Sequence, residues 1–353
     1  MTLMDRAPRT APDRRAAASP RTFRHLSRVR VVAALAALLA APCAAQTYAD
    51  RADVRAFTAE MVERHGFRPG ELERVLGGAR YLDSVVTLMT PLKTGERSWQ
   101  TYRANFLNPR RVEAGTAFWR QNAKTLERAA AVYGVPPEII VAIIGVETEY
   151  GRNTGSFRVL DALATLAFDY PRRAEFFRGE LEQFLLLARE ARADAGSYRG
   201  SYAGAIGIPQ FMPGSIRRYA VDFDGSGRID LRASPGDAIG SVANFLAQHG
   251  WVAGAAIAVP AEVTGERYQL LADGGVDPAR TAAELREADV AFDESIGEDT
   301  PSALIELESP GAPSEFLVGL QNFHVLTRYN RSSFYAAAVR ELAAEVKAAY
   351  APR

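Results

Sequence analysis

The sequence predicts a mainly α-helical protein of the α+β class, in which a flanking helical domain, a helical core and a small β-rich subdomain follow one another. Apolar residues recur at helical spacing from Tyr48 to about Tyr133, and a second helical block runs from Pro136 to about His249. Between about Ala255 and Leu320 the chain changes to short β-prone runs separated by Pro and Gly. These three observations together predict the fold class.

The changes in pattern divide the chain into five predicted segments. They are an export signal at 1–45, a helical domain at 46–133, the helical core with an acidic loop at 134–254, the β-rich subdomain at 255–320, and a C-terminal segment with a helix at 321–353. The last helix should start after Ser332, because a serine hydroxyl at the N-cap accepts a backbone N–H of the first turn. Its buried stripe should contain Tyr335, Val339, Leu342 and Val346.

The first segment has the composition of a secretory signal. Eight arginines and two aspartates occur in the first thirty residues, and the apolar run 31–41 that follows is too short to span a bilayer. Small residues permit cleavage before Gln46, whereas Cys43 offers an alternative as a lipid acceptor that would hold the protein at a membrane. A buried N-terminal helix fits this residue order less well. We therefore expect a periplasmic protein, either free or attached as an outer-membrane lipoprotein.

Charge and cysteine content exclude several functions for the exported chain. The full sequence has a net charge of zero, and removal of the signal with its eight arginines and two aspartates leaves about −6. The exported protein therefore has no basic field for nucleic acid. Its only cysteine is Cys43, so no disulfide and no cysteine metal site is expected after cleavage. A chain of about 300 residues buries enough surface without either.

A single carboxylate interrupts the most apolar helix of the core. In IIVAIIGVETEYG, Pro136 and Pro137 suit a helix start and Gly151 suits its end, which predicts a helix of about four turns. At about 100° per residue, Glu147 lies on the apolar face, within about 60° of three isoleucines. Those isoleucines are Ile140, Ile143 and Ile144, while Glu138 and Glu149 point to the opposite side.

This placement suggests a catalytic acid. Burial raises the pKa of a carboxyl from about 4.3, and a glutamic acid with a pKa near 6 can donate a proton at neutral pH. The alternative is a structural glutamate at the end of a core helix, neutralised by an arginine such as Arg152. Periodicity alone leaves both interpretations open.

Two further stretches supply candidate binding residues. GSYAGAIGIPQFMPGS is rich in small residues that let the backbone approach a ligand, with Ser201 and Gln210 as hydrogen-bond donors and Phe211 in an apolar wall. Arg172 and Arg173 in YPRRAEFF are candidate contacts to an anionic group of a substrate. The first stretch could equally be a packed turn, and the two arginines could be solvated surface.

Several long motifs, in the right order, resemble the membrane-bound lytic murein transglycosylase B family. They are IIGVETEYG, LDALATLAFDYPRRAEFF, GSYAGAIGIPQFMPGSIRRYAVDFDGSGRIDL, DAIGSVANFLAQHGW and VGLQNFHVLTRYNRS, and the resemblance extends from about Phe57 to the C-terminus. It implies a lysozyme-like helical core with a flanking helical domain and a small β domain. It also implies cleavage of the β-1,4 bond between N-acetylmuramic acid and N-acetylglucosamine in peptidoglycan glycan strands, with Glu147 as the catalytic acid.

The same resemblance implies a set of substrate-binding residues. Ser201, Gln210 and Phe211 match the family's groove residues in the glycine-rich stretch. Further matches are Tyr102, Tyr329, Asn330 and Tyr335. Phe245 stands where the family often has tyrosine, which keeps an aromatic ring but loses a hydroxyl hydrogen bond. Without the resemblance, each tyrosine could be ordinary core packing.

The reaction type depends on whether a second carboxylate is present. Hydrolysis by a glycosidase needs two, and no second acid lies at a helical spacing that would place it beside Glu147. Asp161 and Asp169 could join it only through the tertiary fold. The resemblance implies instead that Glu147 activates the muramoyl C6 hydroxyl and that a 1,6-anhydro sugar forms, with no cofactor required. A hydrolytic muramidase and a non-catalytic peptidoglycan-binding protein are the alternatives.

The acidic loop DFDGSGRID resembles half of an EF-hand. Loop positions 1, 3, 5 and 9 are Asp222, Asp224, Ser226 and Asp230, with the Arg228 carbonyl at position 7 and Gly227 at the sharp turn. Position 12 is alanine rather than glutamate, and the next acid, Asp237, resembles the family's later aspartate. We expect a structural Ca²⁺ site here, and a metal-free turn is the alternative.

Overall fold

Helices dominate the structure, a computed structural model that describes residues 47–90, 98–272 and 274–351. The predicted export signal and Cys43 lie outside these residues. The helices are α1 (Ala52–His65), α2 (Pro69–Gly77), α3 (Asp83–Met89), α4 (Trp99–Phe106), α5 (Pro109–Tyr133), α6 (Pro137–Thr148), α7 (Val159–Asp169), α8 (Ala174–Glu190), α9 (Pro213–Tyr219), α10 (Pro235–Gln248), α11 (Gln269–Ala272), α12 (Ala282–Glu287), α13 (Gln321–Tyr329) and α14 (Ser333–Tyr350).

The strands form one very short hairpin and one five-stranded antiparallel sheet. They are β1 (Phe157–Arg158), β2 (Arg199–Gly200), β3 (Ala258–Val263), β4 (Arg280–Thr281), β5 (Val290–Phe292), β6 (Pro301–Leu307) and β7 (Glu315–Gly319). The larger sheet has the order β4-β6-β7-β3-β5. Its central pairing sets Ile305 opposite Leu317 and Leu304 opposite Val318. All five of its strands lie within the stretch where the sequence predicts β structure.

Both faces of this sheet are covered, which explains the near-continuous burial of β6. Ala303, Ile305 and Leu307 point into the main helical core, whereas Leu304 joins a second, smaller cluster with Leu285 of α12. Successive side chains of a strand point to opposite faces, so one strand serves both clusters. The sheet is thereby joined to the helical body rather than standing apart from it.

The centre of the helical body is α6. Every residue from Ile139 to Gly145 is buried, because α5, α10 and α14 all pack around this helix. A helix that is apolar on all sides must be covered on all sides. These contacts cross the predicted segment boundaries near 133 and 320, and contacts from Ala45 to Arg353 form one compact unit. The five-segment division remains a prediction.

Three helix ends test the capping predictions. Ser332 caps α14 as predicted, because its hydroxyl accepts the backbone N–H of Tyr335. Pro136 and Pro137 also start α6 as predicted. The predicted end of α6 at Gly151 is wrong: the helix stops after Thr148, and Glu149 takes the left-handed C-cap conformation with φ 49°.

No single helix in the described ranges is long and apolar enough to cross a membrane, although α5 and α6, bent by 113° at their junction, reach that length and apolarity as a pair.

Candidate active site

Glu147 occupies the last turn of α6. Its side chain is half-buried, and its Oε1 accepts a hydrogen bond of 2.8 Å from the hydroxyl of Tyr335. Tyr335 lies in the first turn of α14 and is 1% exposed. The C-terminal helix therefore supplies the described partner of a carboxyl that lies 188 residues earlier in the chain.

The surroundings keep this carboxyl protonated near neutral pH. Burial raises the pKa of Glu147 from an ordinary 4.5 to about 7, and the hydrogen bond from Tyr335 opposes part of that rise. Arg152, the arginine considered as a neutralising partner, is exposed. Within the described ranges, no lysine or arginine forms an ion pair with Glu147. The carboxyl can thus donate a proton at neutral pH and accept one afterwards.

The two aspartates that could have joined Glu147 have partners elsewhere. Asp161 is buried and receives two bonds, of 3.0 and 3.1 Å, from the guanidinium of Arg158. Asp169 accepts a hydrogen bond of 2.5 Å from the Tyr48 hydroxyl. The pKa of Glu147 responds to no neighbouring carboxylate. Among the described residues, Asp161 and Asp169 therefore do not join Glu147 as a second catalytic acid.

The other two glutamates of this stretch also have cationic partners. Glu138 lies 2.6 Å from the ammonium group of Lys347, and Glu149 lies 3.1 Å from the guanidinium of Arg111. Their positions away from the apolar face agree with the helical spacing in the sequence. Glu147 differs from both, because its described partner is the uncharged hydroxyl of Tyr335.

Aromatic side chains predicted to bind substrate form a continuous wall beside Glu147. The rings of Tyr329 and Tyr335 are parallel within 12°, with centroids 6.2 Å apart. Phe245 and Phe211 pack on Tyr329 at 4.9 and 5.7 Å. Phe211, Phe245 and Tyr335 are only 2%, 5% and 1% exposed, so these rings pack as part of the core, and Tyr329 is the half-buried ring of the group. The structure therefore unites three segments that are far apart in sequence.

The glycine-rich stretch folds into a tight loop that presents Ser201 and Gln210. The Ser201 hydroxyl accepts the Ala205 N–H at 3.0 Å. Gln210 has φ 51°, and its amide nitrogen donates to the Thr154 carbonyl at 3.1 Å. A Cβ added to Gly155 would lie 2.1 Å from the Gly200 carbonyl oxygen, so only glycine permits this close backbone crossing.

Two hydrogen bonds connect this loop to the elements that carry Glu147 and its wall. Thr148, directly after Glu147, donates from Oγ1 to the Ile208 carbonyl at 2.8 Å. Tyr329 donates from its hydroxyl to the Pro209 carbonyl at 2.6 Å. Thr148 is not among the site residues predicted from the sequence. The one feature of the sequence that could have indicated Thr148 is that it directly follows Glu147, the carboxylate on the apolar face of α6.

The remaining predicted binding residues lie at different distances from this centre. Tyr102 of α4 packs against Phe334 with ring centroids 5.7 Å apart. Burial is the main cause that raises the pKa of Tyr335, and Tyr102 adds a smaller contribution. Asn330 is exposed and directly follows α13. Tyr102 is therefore close in space to Tyr335, and Asn330 is the residue after Tyr329 in the chain.

Arg172 and Arg173 are not brought into this centre by any contact in the described ranges. Both are exposed in a 3-10 turn at Pro171–Arg173, between α7 and α8. The guanidinium of Arg173 lies 4.3 Å from the centroid of the Phe176 ring. An arginine that stacks on an exposed aromatic ring is an ordinary surface arrangement. The surface alternative therefore fits these two residues better than substrate contact.

The acidic loop gathers three carboxylates at one point. One oxygen from each of Asp222, Asp224 and Asp237 lies within 4.8 Å of the others. Ser226 donates from its hydroxyl to the Arg228 carbonyl at 3.2 Å, which places two more oxygens in the same loop. A set of oxygen donors alone fits a hard cation such as Ca²⁺.

Asp237 also organises the loop without a metal. It is fully buried in the first turn of α10, and its two oxygens accept the backbone N–H groups of Phe223, Asp224 and Asp230 at 2.8, 3.1 and 2.8 Å. This aspartate therefore joins both ends of the loop, although it lies four residues beyond the usual closing position of an EF-hand loop. Asp230 is half-buried and the Arg228 side chain is exposed.

Comparison with known proteins gives the family. The profile described as "Transglycosylase SLT domain" matches residues 49–344. Membrane-bound lytic murein transglycosylase B of Escherichia coli (strain K12) is 44% identical over 304 residues, which cover 84% of this chain and 82% of that protein. The fold is similar to catenated lytic transglycosylase SltB1 from Pseudomonas aeruginosa, with a TM-score of 0.82, 45% identity, and coverage of 86% of this chain and 100% of that one.

Escherichia coli lytic transglycosylase SLT35 in complex with calcium is also similar, with a TM-score of 0.75, 45% identity, and coverage of 84% of this chain and 93% of that one. These likenesses confirm the predicted fold class, a lysozyme-like helical core with further helices and a small sheet. The chain therefore belongs to the SLT family of lytic transglycosylases.

Proposed function

We propose that Glu147 is the acid and then the base with which this lytic murein transglycosylase cleaves the β-1,4 bond between N-acetylmuramic acid and N-acetylglucosamine. The observation that carries the proposal is the environment of the carboxyl: it is half-buried on an apolar helix, its pKa is about 7, and its described partner is the hydroxyl of Tyr335. A general acid works best when its pKa lies near the working pH. Glu147 meets that condition.

The reaction then needs one carboxyl acting twice. Glu147 first gives its proton to the glycosidic oxygen, so that the bond from that oxygen to C1 of the muramoyl residue breaks and the N-acetylglucosamine hydroxyl leaves. The positive charge that develops at C1 is stabilised by the substrate's own N-acetyl oxygen. The Glu147 carboxylate next takes the proton of the C6 hydroxyl, whose oxygen bonds to C1. A 1,6-anhydromuramoyl end results, and Glu147 is protonated again.

The absence of a second acid in the described groove supports this route over hydrolysis. Asp161 and Asp169, the two alternatives, are held by other side chains. Hydrolysis would need a carboxylate placed to activate water or to attack C1. The C6 hydroxyl is part of the same molecule, and a well-oriented internal nucleophile has an effective concentration of about 10⁵ M or more. Transglycosylation is therefore the better fit to one carboxyl.

The groove residues have distinct proposed roles. Tyr329, which is half-buried, is the ring proposed to contact a sugar; the buried rings of Phe211 and Phe245 support it, and Tyr335 orients Glu147. Ser201 and Gln210 contribute polar groups from the glycine-rich loop. Further contacts are proposed for Tyr102 and Asn330.

A matched pair of variants tests the assignment. Glu147→Gln keeps size and hydrogen bonding but removes the transferable proton, so release of muropeptides from purified sacculi should fall about 10²–10⁴-fold. Glu149→Gln, whose amide oxygen can still accept the hydrogen bond from Arg111, should stay active. A Glu147→Gln protein that clears sacculi at the wild-type rate would contradict the proposal.

The product decides between transglycosylation and the two alternative functions. Mass spectrometry of the released muropeptides distinguishes an anhydro end from a reducing end, because the anhydro product is lighter by one water. We expect anhydromuramoyl ends. Reducing muramic acid ends would favour a muramidase, and a folded wild-type protein that releases nothing would favour a peptidoglycan-binding role.

We also propose that the acidic loop binds Ca²⁺ as a structural ion. A relative's structure was solved in complex with calcium. Here Asp222, Asp224 and Asp237 converge within 4.8 Å, and the loop adds the oxygens of Ser226, Arg228 and Asp230. An ion that binds only the folded state raises the melting temperature. The purified metal-free protein should melt at a higher temperature with Ca²⁺ than with chelator.

For location, we propose the periplasm, where the substrate is found. The family places the enzyme in the cell envelope, and the arginine-rich and apolar N-terminal sequence fits export. Attachment through a lipid on Cys43 is the alternative to a freely soluble form. Labelling cells with a radioactive fatty acid and comparing the wild type with Cys43→Ser distinguishes the two forms.

A further inference from the structure

The chain reverses direction directly after α6, and the reversal uses an unfavourable backbone conformation. Glu149 and Tyr150 are consecutive residues with φ angles of 49° and 63°. This left-handed region brings Cβ too close to the following carbonyl oxygen for residues other than glycine. Two such residues in succession persist only where their surroundings hold them. The contacts that hold them here therefore have a structural purpose.

The ring of Tyr150 fills a slot between α5 and α6 that two glycines leave open. Its hydroxyl donates to the Arg111 carbonyl of α5 at 2.9 Å. A Cβ added at Gly115 of α5 would lie 2.4 Å from that hydroxyl, and one added at Gly145 of α6 would lie 2.6 Å from it. Both helices thus lack side chains at the points where the hydroxyl enters.

Arg111 returns the contact from the α5 side. Its guanidinium donates to the Gly145 carbonyl in the last turns of α6 and lies 3.1 Å from Glu149. Burial also raises the pKa of Tyr150, so its hydroxyl stays a hydrogen-bond donor at every working pH. Arg111 and Tyr150 therefore form a reciprocal clasp: the Tyr150 side chain binds α5, and the Arg111 side chain binds the end of α6 and the reversal that follows it.

The far side of the reversal lies against the glycine-rich loop. Thr148 accepts the Gly151 N–H at 3.0 Å and donates to the Ile208 carbonyl at 2.8 Å. Gln210 lies two residues after that carbonyl. The conformation of the reversal therefore sets the spacing between the last turn of α6, which carries Glu147, and the loop across the groove.

We propose that Tyr150 is a positioning residue of the active site, which with Arg111 clasps the end of α6 and fixes the Glu147 carboxyl relative to the glycine-rich loop. The inference rests on the proposed role of Glu147. A misplacement of about 1 Å can lower a catalysed rate about 10²-fold. Because the aromatic wall is untouched, the loss should appear in kcat and not in KM.

Tyr150→Phe tests the proposal, with Tyr170→Phe as the matched control. Tyr170 also donates from its hydroxyl to a backbone carbonyl, that of Met89, at 3.0 Å, but away from Glu147. With soluble glycan fragments as substrate, we expect Tyr150→Phe to lower kcat about tenfold, with KM within about twofold, and to shift the pH–rate profile. Tyr170→Phe should leave all three unchanged. Tyr150→Phe protein with wild-type kcat and pH profile would overturn the proposal.

Gly145→Ala provides a second route if Tyr150→Phe does not fold. Alanine is the better helix former, but its methyl group would displace the Tyr150 hydroxyl. A folded Gly145→Ala protein should show the same loss in kcat, and wild-type kcat would contradict the clasp. Glu147→Gln separates the two proposals. If Glu147→Gln is inactive and Tyr150→Phe is normal, only the positioning role of Tyr150 is contradicted. If Glu147→Gln is active, the proposed catalytic role of Glu147 is itself contradicted.

Discussion

Replacing the proposed catalytic acid should make the protein more stable at neutral and alkaline pH. Glu147 has a folded-state pKa of about 7, against an ordinary value of 4.5. Between these values the folded protein binds more protons at this site than the unfolded chain does, so the free energy of unfolding falls as pH rises. Glutamine carries no such proton. The stability difference between Glu147→Gln and wild type should therefore grow between about pH 4.5 and pH 8.

The structure gives the size of this effect. A pKa difference from 4.5 to about 7 corresponds to up to about 3 kcal/mol, at about 1.4 kcal/mol per pH unit. The side chain is half-buried and not fully enclosed, so water screens part of this penalty. We expect about 2 kcal/mol of added stability for Glu147→Gln at pH 8 relative to pH 4.5. Tyr335 can still donate to the amide oxygen of glutamine, which keeps the described hydrogen bond.

Urea unfolding of both proteins at several pH values measures the difference directly. Other titrating groups are common to the two proteins and cancel in the comparison, provided that the m-values agree. Glu63→Gln is the control, because it removes an exposed carboxyl that has no ion pair among the described residues, and it should follow the pH dependence of wild type. Stability curves that run parallel for wild type and Glu147→Gln would refute the argument that Glu147 is desolvated.

Two further predictions follow from individual hydrogen bonds. Tyr335→Phe removes the hydrogen bond that lowers the pKa of Glu147, so the acid stays protonated to higher pH. The alkaline limb of the pH–rate profile should therefore move to higher pH. An unchanged alkaline limb would show that this hydrogen bond does not tune the pKa of Glu147. Asp237→Asn weakens a carboxylate that accepts three backbone N–H groups, and should cost about 1–3 kcal/mol even in chelator. Asp222→Ala should mainly abolish the rise in melting temperature with Ca²⁺. If the two substitutions lowered the free energy of unfolding equally in chelator, that result would contradict the organising role of Asp237.

The local features of the chain could be predicted from the sequence because they depend on spacing along it. The helical spacing of apolar residues predicted the helices, and the same spacing placed Glu147 on the apolar face of α6. The N-cap of α14 at Ser332 followed from residue type alone. The long motifs predicted the family, which the comparisons confirm. Each of these signals lies within one short stretch of the chain.

Some local signals were outweighed by tertiary contacts. Gly151 was the expected end of α6, yet the helix stops three residues earlier, because the clasp between Arg111 and Tyr150 holds the reversal there. A glycine marks a favourable place to stop, but packing against α5 decides where the helix ends. Similarly, the spacing of the acidic loop pointed to a missing ligand at position 12, whereas the fold brings Asp237 back to the carboxylates of Asp222 and Asp224.

Helical spacing in the sequence identifies Glu147 as the unusual carboxyl, whereas its partners depend on the packing of distant helices. Tyr335 meets Glu147 across 188 residues, and no periodicity links positions that far apart. The same holds for Asp161 and Asp169, which could have been second catalytic acids until Arg158 and Tyr48 were found to hold them. Helical spacing sets the face on which a side chain lies, because it follows from local backbone geometry. The partner on that face is set by the packing of distant helices.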